Sequence, residues 1–155
     1  MKRFNLFDDA RLKVDEDEPE GYGAPYAKPG DAVGAQLLGA SVVLLHEGQA
    51  LCPYHYELVE EEWLIVLSGT PTVRTAAGEE VYGAGDVVCF PRGPAGAHKI
   101  ANAAAEPARV LMISERSPCA AAFYEDSDKV GVFGPQTRYL FRLGDARDYW
   151  DGEGG

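Results

Sequence analysis

From Gly34 onward the chain alternates short β-rich apolar runs with turns, and no amphipathic helix pattern lies between them. The runs fall at 40–45, 51–57, 62–67, 72–75, 79–82, 86–90, 98–102, 108–114 and 120–124. Turn signals separate them at 46–49, 76–78, 83–85 and in the Pro/Gly loop 91–96. The 18 glycines and 10 prolines are spread among these turns rather than gathered in one block. Many short strands joined every eight to twelve residues or so give an antiparallel sandwich or barrel. No internal repeat is present, which argues against a propeller or solenoid.

Around this centre the ends differ in character. Residues 1–32 read as an arm: Phe4, Leu6 and Phe7, then the acidic run Asp15-Glu16-Asp17-Glu18, then a Gly/Pro stretch. Its aromatics are expected to dock on the barrel or on a neighbouring subunit. Residues 33–125 form the expected barrel, and 126–155 an extension packing on it. In that extension, residues 139–143 read equally as strand or short helix, and 148–152 as an aromatic plug before a disordered end.

A chain of 155 residues suffices for one hydrophobic core. The net charge of -11 repels nucleic acid phosphates and anionic lipid, so neither is an expected partner. No apolar run reaches membrane-spanning length and no leader pattern is visible, so a cytoplasmic location is expected. Three cysteines, Cys52, Cys89 and Cys119, lack metal-type spacing and point to free thiols rather than a disulfide framework.

Chemistry concentrates in Pro53-Tyr-His-Tyr-Glu57 and Glu60-Glu-Glu-Trp63. Alternate residues of a strand share a face, so His55 and Glu57 point the same way. In the next run Glu62, Leu64 and Val66 share one face, and Trp63, Ile65 and Leu67 the other. Glu61 is the register alternative to Glu62. Farther on, His98, Ile100 and Asn102 share a face. If these faces meet inside, two imidazoles and two carboxylates converge on a set that satisfies a divalent ion. Taken separately, residues 60–62 also read as a solvated acidic run, and His98 as a hydrogen-bonded core residue. His46 lies in a turn and carries no expectation. Arg92, in the 91–96 loop, is a weaker candidate for meeting a substrate anion.

These residues resemble the two cupin motifs. Gly48, His55, Glu57, Glu62 and Gly69 follow the first, with one extra residue after Gly48 and with Glu57 in place of the second histidine. Gly85, Pro91, Gly93, His98 and Asn102 follow the second, with two extra residues before the histidine. The chain is also similar, nearly end to end, to small single-domain bacterial cupins labelled as sugar-metabolism proteins. Gly85-Asp-Val-Val-Cys-Phe-Pro91, Tyr124-Glu-Asp-Ser-Asp-Lys-Val-Gly131 and Tyr149-Trp-Asp-Gly-Glu153 carry that likeness.

The resemblance implies an all-β, antiparallel double-stranded β-helix (cupin or jelly-roll barrel). It implies a divalent metal held by His55, Glu57, Glu62 and His98. The glutamate at 57 makes the site harder than a three-histidine one, which leaves Zn, Mn, Fe or Ni open. It further implies a homodimer and a small-molecule ligand in the barrel. The expected activity is that of a metal-dependent isomerase, epimerase or dioxygenase acting on a sugar-like or other small organic molecule. The alternative is a non-catalytic sensor or binding module.

Overall fold

Alternation along the runs turns every second side chain inward, and the chain closes these inner faces against one another. The computed structural model describes residues 1–154. Its elements are β1 Tyr26–Ala27, α1 Pro29–Val33, β2 Leu38–Leu45, β3 Tyr56–Glu57, β4 Glu62–Ser68, β5 Thr72–Thr75, β6 Gly78–Val81 and β7 Val87–Phe90. Then come β8 His98–Ala101, β9 Ala108–Glu115, β10 Ala120–Tyr124, β11 Lys129–Gly134 and β12 Thr137–Arg142. They assemble as a five-stranded sheet β1-β2-β9-β4-β7, a three-stranded sheet β6-β5-β8 and a four-stranded sheet β12-β11-β10-β3. All pairings are antiparallel.

β4 shows how the core is divided. Leu64 and Val66 point inward and are fully buried, joining Leu45, Val73, Phe90, Ile100, Val110 and Met112. Ile65 and Leu67 point outward, and there the arm covers them with Phe4, Leu6 and Leu12. Arg109 holds the arm in place. Its buried guanidinium donates to the Leu6 carbonyl at 3.0 Å and pairs with Asp9. Burying this charge is tolerable because both partners come with the arm. The arm thus docks on its own barrel, leaving Trp63 as the exposed residue of the outward row.

Several stretches depart from the sequence reading. The run 51–57 is not a continuous strand. Pro53 offers no N–H, and only β3, with the bridging residue His55, is regular. Lys129–Gly134 is a strand that lies beyond the runs read from the sequence. Its partners β10 and β12 lie on either side and supply the ladder. The stretch left between strand and helix at 139–143 lies mainly in β12. The aromatic plug at 148–152 is not formed: Tyr149 and Trp150 are 82% and 71% exposed. Gly155, the end of the tail read as disordered, lies outside the described residues. Among the described residues no helix is long and apolar enough to cross a membrane.

Two motif glycines differ in what they tolerate. Gly48 and Gly69 both have φ +78, but only Gly69 is crowded. A Cβ there would lie 2.6 Å from both the Ala108 Cα and the Pro107 carbonyl oxygen, while at Gly48 it would meet nothing within 4 Å. Gly48→Ala should therefore cost only the left-handed backbone penalty, about 1 kcal/mol. Gly69→Ala adds a backbone clash and should cost about 3 kcal/mol or more. Chemical denaturation of the two variants checks this; equal losses would mean the Gly69–Ala108 approach does not constrain the barrel.

Candidate metal centre

His55 stands immediately before β3 and His98 opens β8. Their backbones exchange two hydrogen bonds, His55 N–H to His98 O at 3.0 Å and His98 N–H to His55 O at 2.8 Å. Residues paired this way project to the same side, and the rings lie 4.8 Å apart. Phe90 stacks on His98 at 3.7 Å and holds its plane.

Each ring is turned by a carbonyl close to it in sequence. His55 Nδ1 is 3.0 Å from the Pro53 oxygen, and His98 Nδ1 is 2.8 Å from the Gly96 oxygen. A carbonyl only accepts, so both Nδ1 atoms carry the proton and both Nε2 atoms present lone pairs. Gly96 is required for this. A Cβ there would sit 1.8 Å from the Pro91 oxygen, so no other residue fits the turn that presents its carbonyl.

The two Nε2 atoms face the carboxylates. Glu62 Oε2 is 3.7 Å from each, and Glu57 Oε1 is 3.9 Å from His55 Nε2. Glu61, the register alternative, is exposed and accepts a hydrogen bond from the Trp63 indole at 2.9 Å. Glu57 Oε2, Glu62 Oε2 and His98 Nε2 are buried without any hydrogen-bond partner. Burial, with Glu60 adding, raises the Glu57 pKa to about 7. Burial, then Glu57 and Glu60, does the same to Glu62. Burial lowers His98 to about 4 and His55 in the same direction, so both imidazoles are neutral at pH 7.

A cavity of about 220 Å³ opens beside the cluster, lined by His55, Glu62 and His98 and by Ser41, Met112 and Ser114, the last being the cross-strand partner of Glu62. Cys52 also lines it, and donor atoms of Cys52, His55 and His98 all lie within 4.8 Å of one another, a group able to hold a metal ion. Sequence reasoning left out Cys52 because it pairs with no other cysteine or histidine at a recognised spacing. Its Sγ is 3.6 Å from His55 Nδ1, on the protonated side of that ring, and burial followed by Glu62 and Glu57 pushes its thiol pKa up. Tyr124, at the end of β10, was also not singled out. Its ring stacks on His55 at 5.7 Å, and burial ahead of Glu57 and Cys52 keeps its hydroxyl protonated. Only the β3–β10 pairing brings it there, and local sequence carries no sign of that pairing.

The remaining candidates have structural employment. Asn102 donates to the Leu45 and Glu106 carbonyls and accepts from Ala104 N–H, which closes the turn between β8 and β9. Arg92 is paired with Glu115 on the surface. His46 is exposed in its turn.

With this geometry the chain can be set beside known proteins. Residues 41–114 match the sequence model of the Cupin domain family. No curated protein matches. Among solved structures, a cupin-superfamily protein from Silicibacter pomeroyi, described as a sugar phosphate isomerase, is similar with a TM-score of 0.80 and 24% identity, over 90% of this chain and 92% of its own. One from Acidithiobacillus ferrooxidans, provisionally named a sugar phosphate isomerase, is similar at 0.77 and 29%, over 89% and 87%. The polyketide cyclase RemF from Streptomyces resistomycificus shares the fold at 0.61 and 20%, over 77% and 83%. The chain therefore carries a cupin domain over residues 41–114 and has the cupin fold.

Proposed function

We propose that His55, Glu57, Glu62 and His98 hold one divalent metal ion, and that the protein is an isomerase acting on a small phosphorylated sugar or similar hydroxycarbonyl compound. The observation that carries the metal reading is the set of unpartnered buried atoms. Glu57 Oε2, Glu62 Oε2 and His98 Nε2 each forfeit solvation worth about 1–3 kcal/mol with nothing in the protein to replace it. A cation placed among them satisfies all three. Two imidazole nitrogens and two carboxylates suit Zn, Mn, Fe or Ni, and the two negative charges balance a divalent ion.

When bound, the ion supplies Lewis-acid polarisation of a substrate carbonyl or hydroxyl oxygen. The chain's own residues do the rest. The Pro53 and Gly96 carbonyls orient the imidazoles, and the apolar wall formed by Val43, Leu51 and Met112 limits water. Ser41 and Ser114 offer hydroxyls in the cavity wall, and Tyr124 is a protonated donor stacked beside His55. The isomerase reading draws support from the two long-covering relatives and from the polar cavity walls. It needs one proton moved between adjacent carbons and one between their two oxygens, with no external oxidant.

Elemental analysis of protein purified without chelator tests the site. The parent should hold metal near one equivalent, His55→Ala and His98→Ala should lose it, and Cys52→Ser should keep it. Loss in Cys52→Ser with retention in Glu57→Ala would transfer the site to the cysteine side. Metal binding with ligand-induced stabilisation but no turnover on a sugar phosphate panel would make the protein a binding module instead.

The carboxylates give a second test with a definite sign. In metal-free protein Glu62 has a folded pKa near 7 against an ordinary 4.5, so the folded state holds the proton more tightly. The contribution of this group to stability is full below pH 4.5 or so and declines as pH rises toward 7. Glu62→Gln removes that loss. It should stabilise the metal-free protein by about 2 kcal/mol at pH 8 and have little effect at pH 4. A variant less stable than the parent at pH 8 would mean that a cationic partner already compensates Glu62.

A further inference from the structure

The four-stranded sheet carries the site's chemistry past the barrel. Cross-strand partners share a face, so the pairing Glu57–Ala122–Gly131–Leu140 defines the side of this sheet on which Glu57 and His55 lie. On that same side fall Tyr124, its partner Lys129 and, beyond that, Arg142. Ala120, Phe133 and Arg138 form a parallel row on it. The other side carries Tyr56 stacked on Phe123, with Val130 and Phe141. Three cations thus share one face with the metal-ligand candidates.

These cations are free. Among the described residues neither Lys129, Arg138 nor Arg142 is within ion-pair distance of a carboxylate, whereas Arg74, Arg92, Arg109 and Arg116 each have an acidic partner. The stretch Lys129 to Arg142 holds these three basic side chains and no acidic one, in a chain whose net charge is -11. Lys129 and Arg142 are direct cross-strand partners, and unneutralised like charges on one face raise the local positive potential that an anion would meet.

The cations are also connected to the cluster. Lys129 Nζ lies 5.6 Å over the Tyr124 ring, and that ring stacks on His55. The corner preceding Lys129 is firmly placed. Arg74 grips Asp126 through two hydrogen bonds of 2.7 and 2.9 Å, and Asp128 takes a left-handed φ of 49, alone among non-glycine residues described. At about 4.8 Å between strands, β12 stands about 10 Å from β10. The carbon chain of a small phosphorylated substrate spans that order of distance, whereas the 220 Å³ cavity is small for a whole one.

We infer that Lys129, Arg138 and Arg142 form an anion subsite on the β11–β12 hairpin, which binds the phosphate group of a substrate whose reacting end lies at the His55–Glu62 cluster. The inference rests on the proposed isomerase reading, adding the recognition of the substrate's charged end. The arginines suit a phosphate because their planar guanidinium offers paired donors, with Lys129 adding a point charge nearer the barrel.

Calorimetric titration with ribose phosphate, ribose and inorganic phosphate tests it. The probes are applied to the full-length parent, Arg138→Ala/Arg142→Ala, Lys129→Ala and, as a charge control, Lys28→Ala on the arm. The parent should bind ribose phosphate at least tenfold more tightly than ribose. The double variant and Lys129→Ala should lose most of that margin, while Lys28→Ala and a double arginine-to-lysine variant keep much of it. Arg138 and Arg142 are exposed, so melting temperature should be unchanged in the double variant. Metal content, measured on the same samples, should also be unchanged. A double variant that binds ribose phosphate as tightly as the parent would overturn the subsite, as would a parent that gains nothing from the phosphate group. A parent without metal whose phosphate margin still depends on the two arginines would keep the subsite and remove the metal reading.

Discussion

The pair of backbone hydrogen bonds between His55 and His98 is the constraint on which the site depends. The two histidines lie 43 residues apart in the chain, and neither the β3 nor the β8 segment is long. A narrow antiparallel bridge brings their side chains to one face and leaves no choice of which nitrogen faces which way. The proton on each Nδ1 is committed to a carbonyl two residues back, so the lone pairs converge. The two carboxylates, Glu57 and Glu62, which would otherwise prefer water, face that convergence.

The barrel tolerates this polar interior because the rest of it is strongly apolar. Leu45, Leu64, Val66, Val73, Ile100 and Val110 fill one end completely, and the polar group occupies the other. The middle of the main sheet is covered inside by this core and outside by the arm, with Arg109 joining arm to sheet, while Trp63 and Val87 stay exposed. A sheet covered on both sides has little freedom to shift its register, and the positions of Glu62 and the cavity wall follow from that register.

The C-terminal hairpin has a different status. It extends the sheet that carries Glu57 and Tyr124; the side chains of β12 are largely exposed on both faces, while those of β11 are mostly half-buried. Such a hairpin adds little to the core. It carries Lys129, Arg138 and Arg142 on the sheet face that also bears Glu57 and Tyr124. The family match ends at residue 114, whereas the two structures described as sugar phosphate isomerases correspond over about nine-tenths of the chain.

Period-two alternation and punctuating glycines made the barrel legible in the sequence, because strand faces and turns are local consequences of side-chain shape and backbone freedom. The strands 72–75 and 120–124 have the bounds read from sequence, and Glu62 and His98 lie on the faces that alternation assigns them. Where a strand owes its existence to its neighbours, as in β11, or where proline interrupts one, as at Pro53, local pattern misleads. The nearness of Cys52 and Tyr124 to the histidines, the pairing of Glu115 with Arg92, and the lack of a carboxylate partner for Arg138 and Arg142 among the described residues were decided only by tertiary structure. Sequence sets which way a side chain points along its own strand; which residues it meets depends on pairings between segments distant in the chain, and those are set by the burial of the whole apolar surface at once.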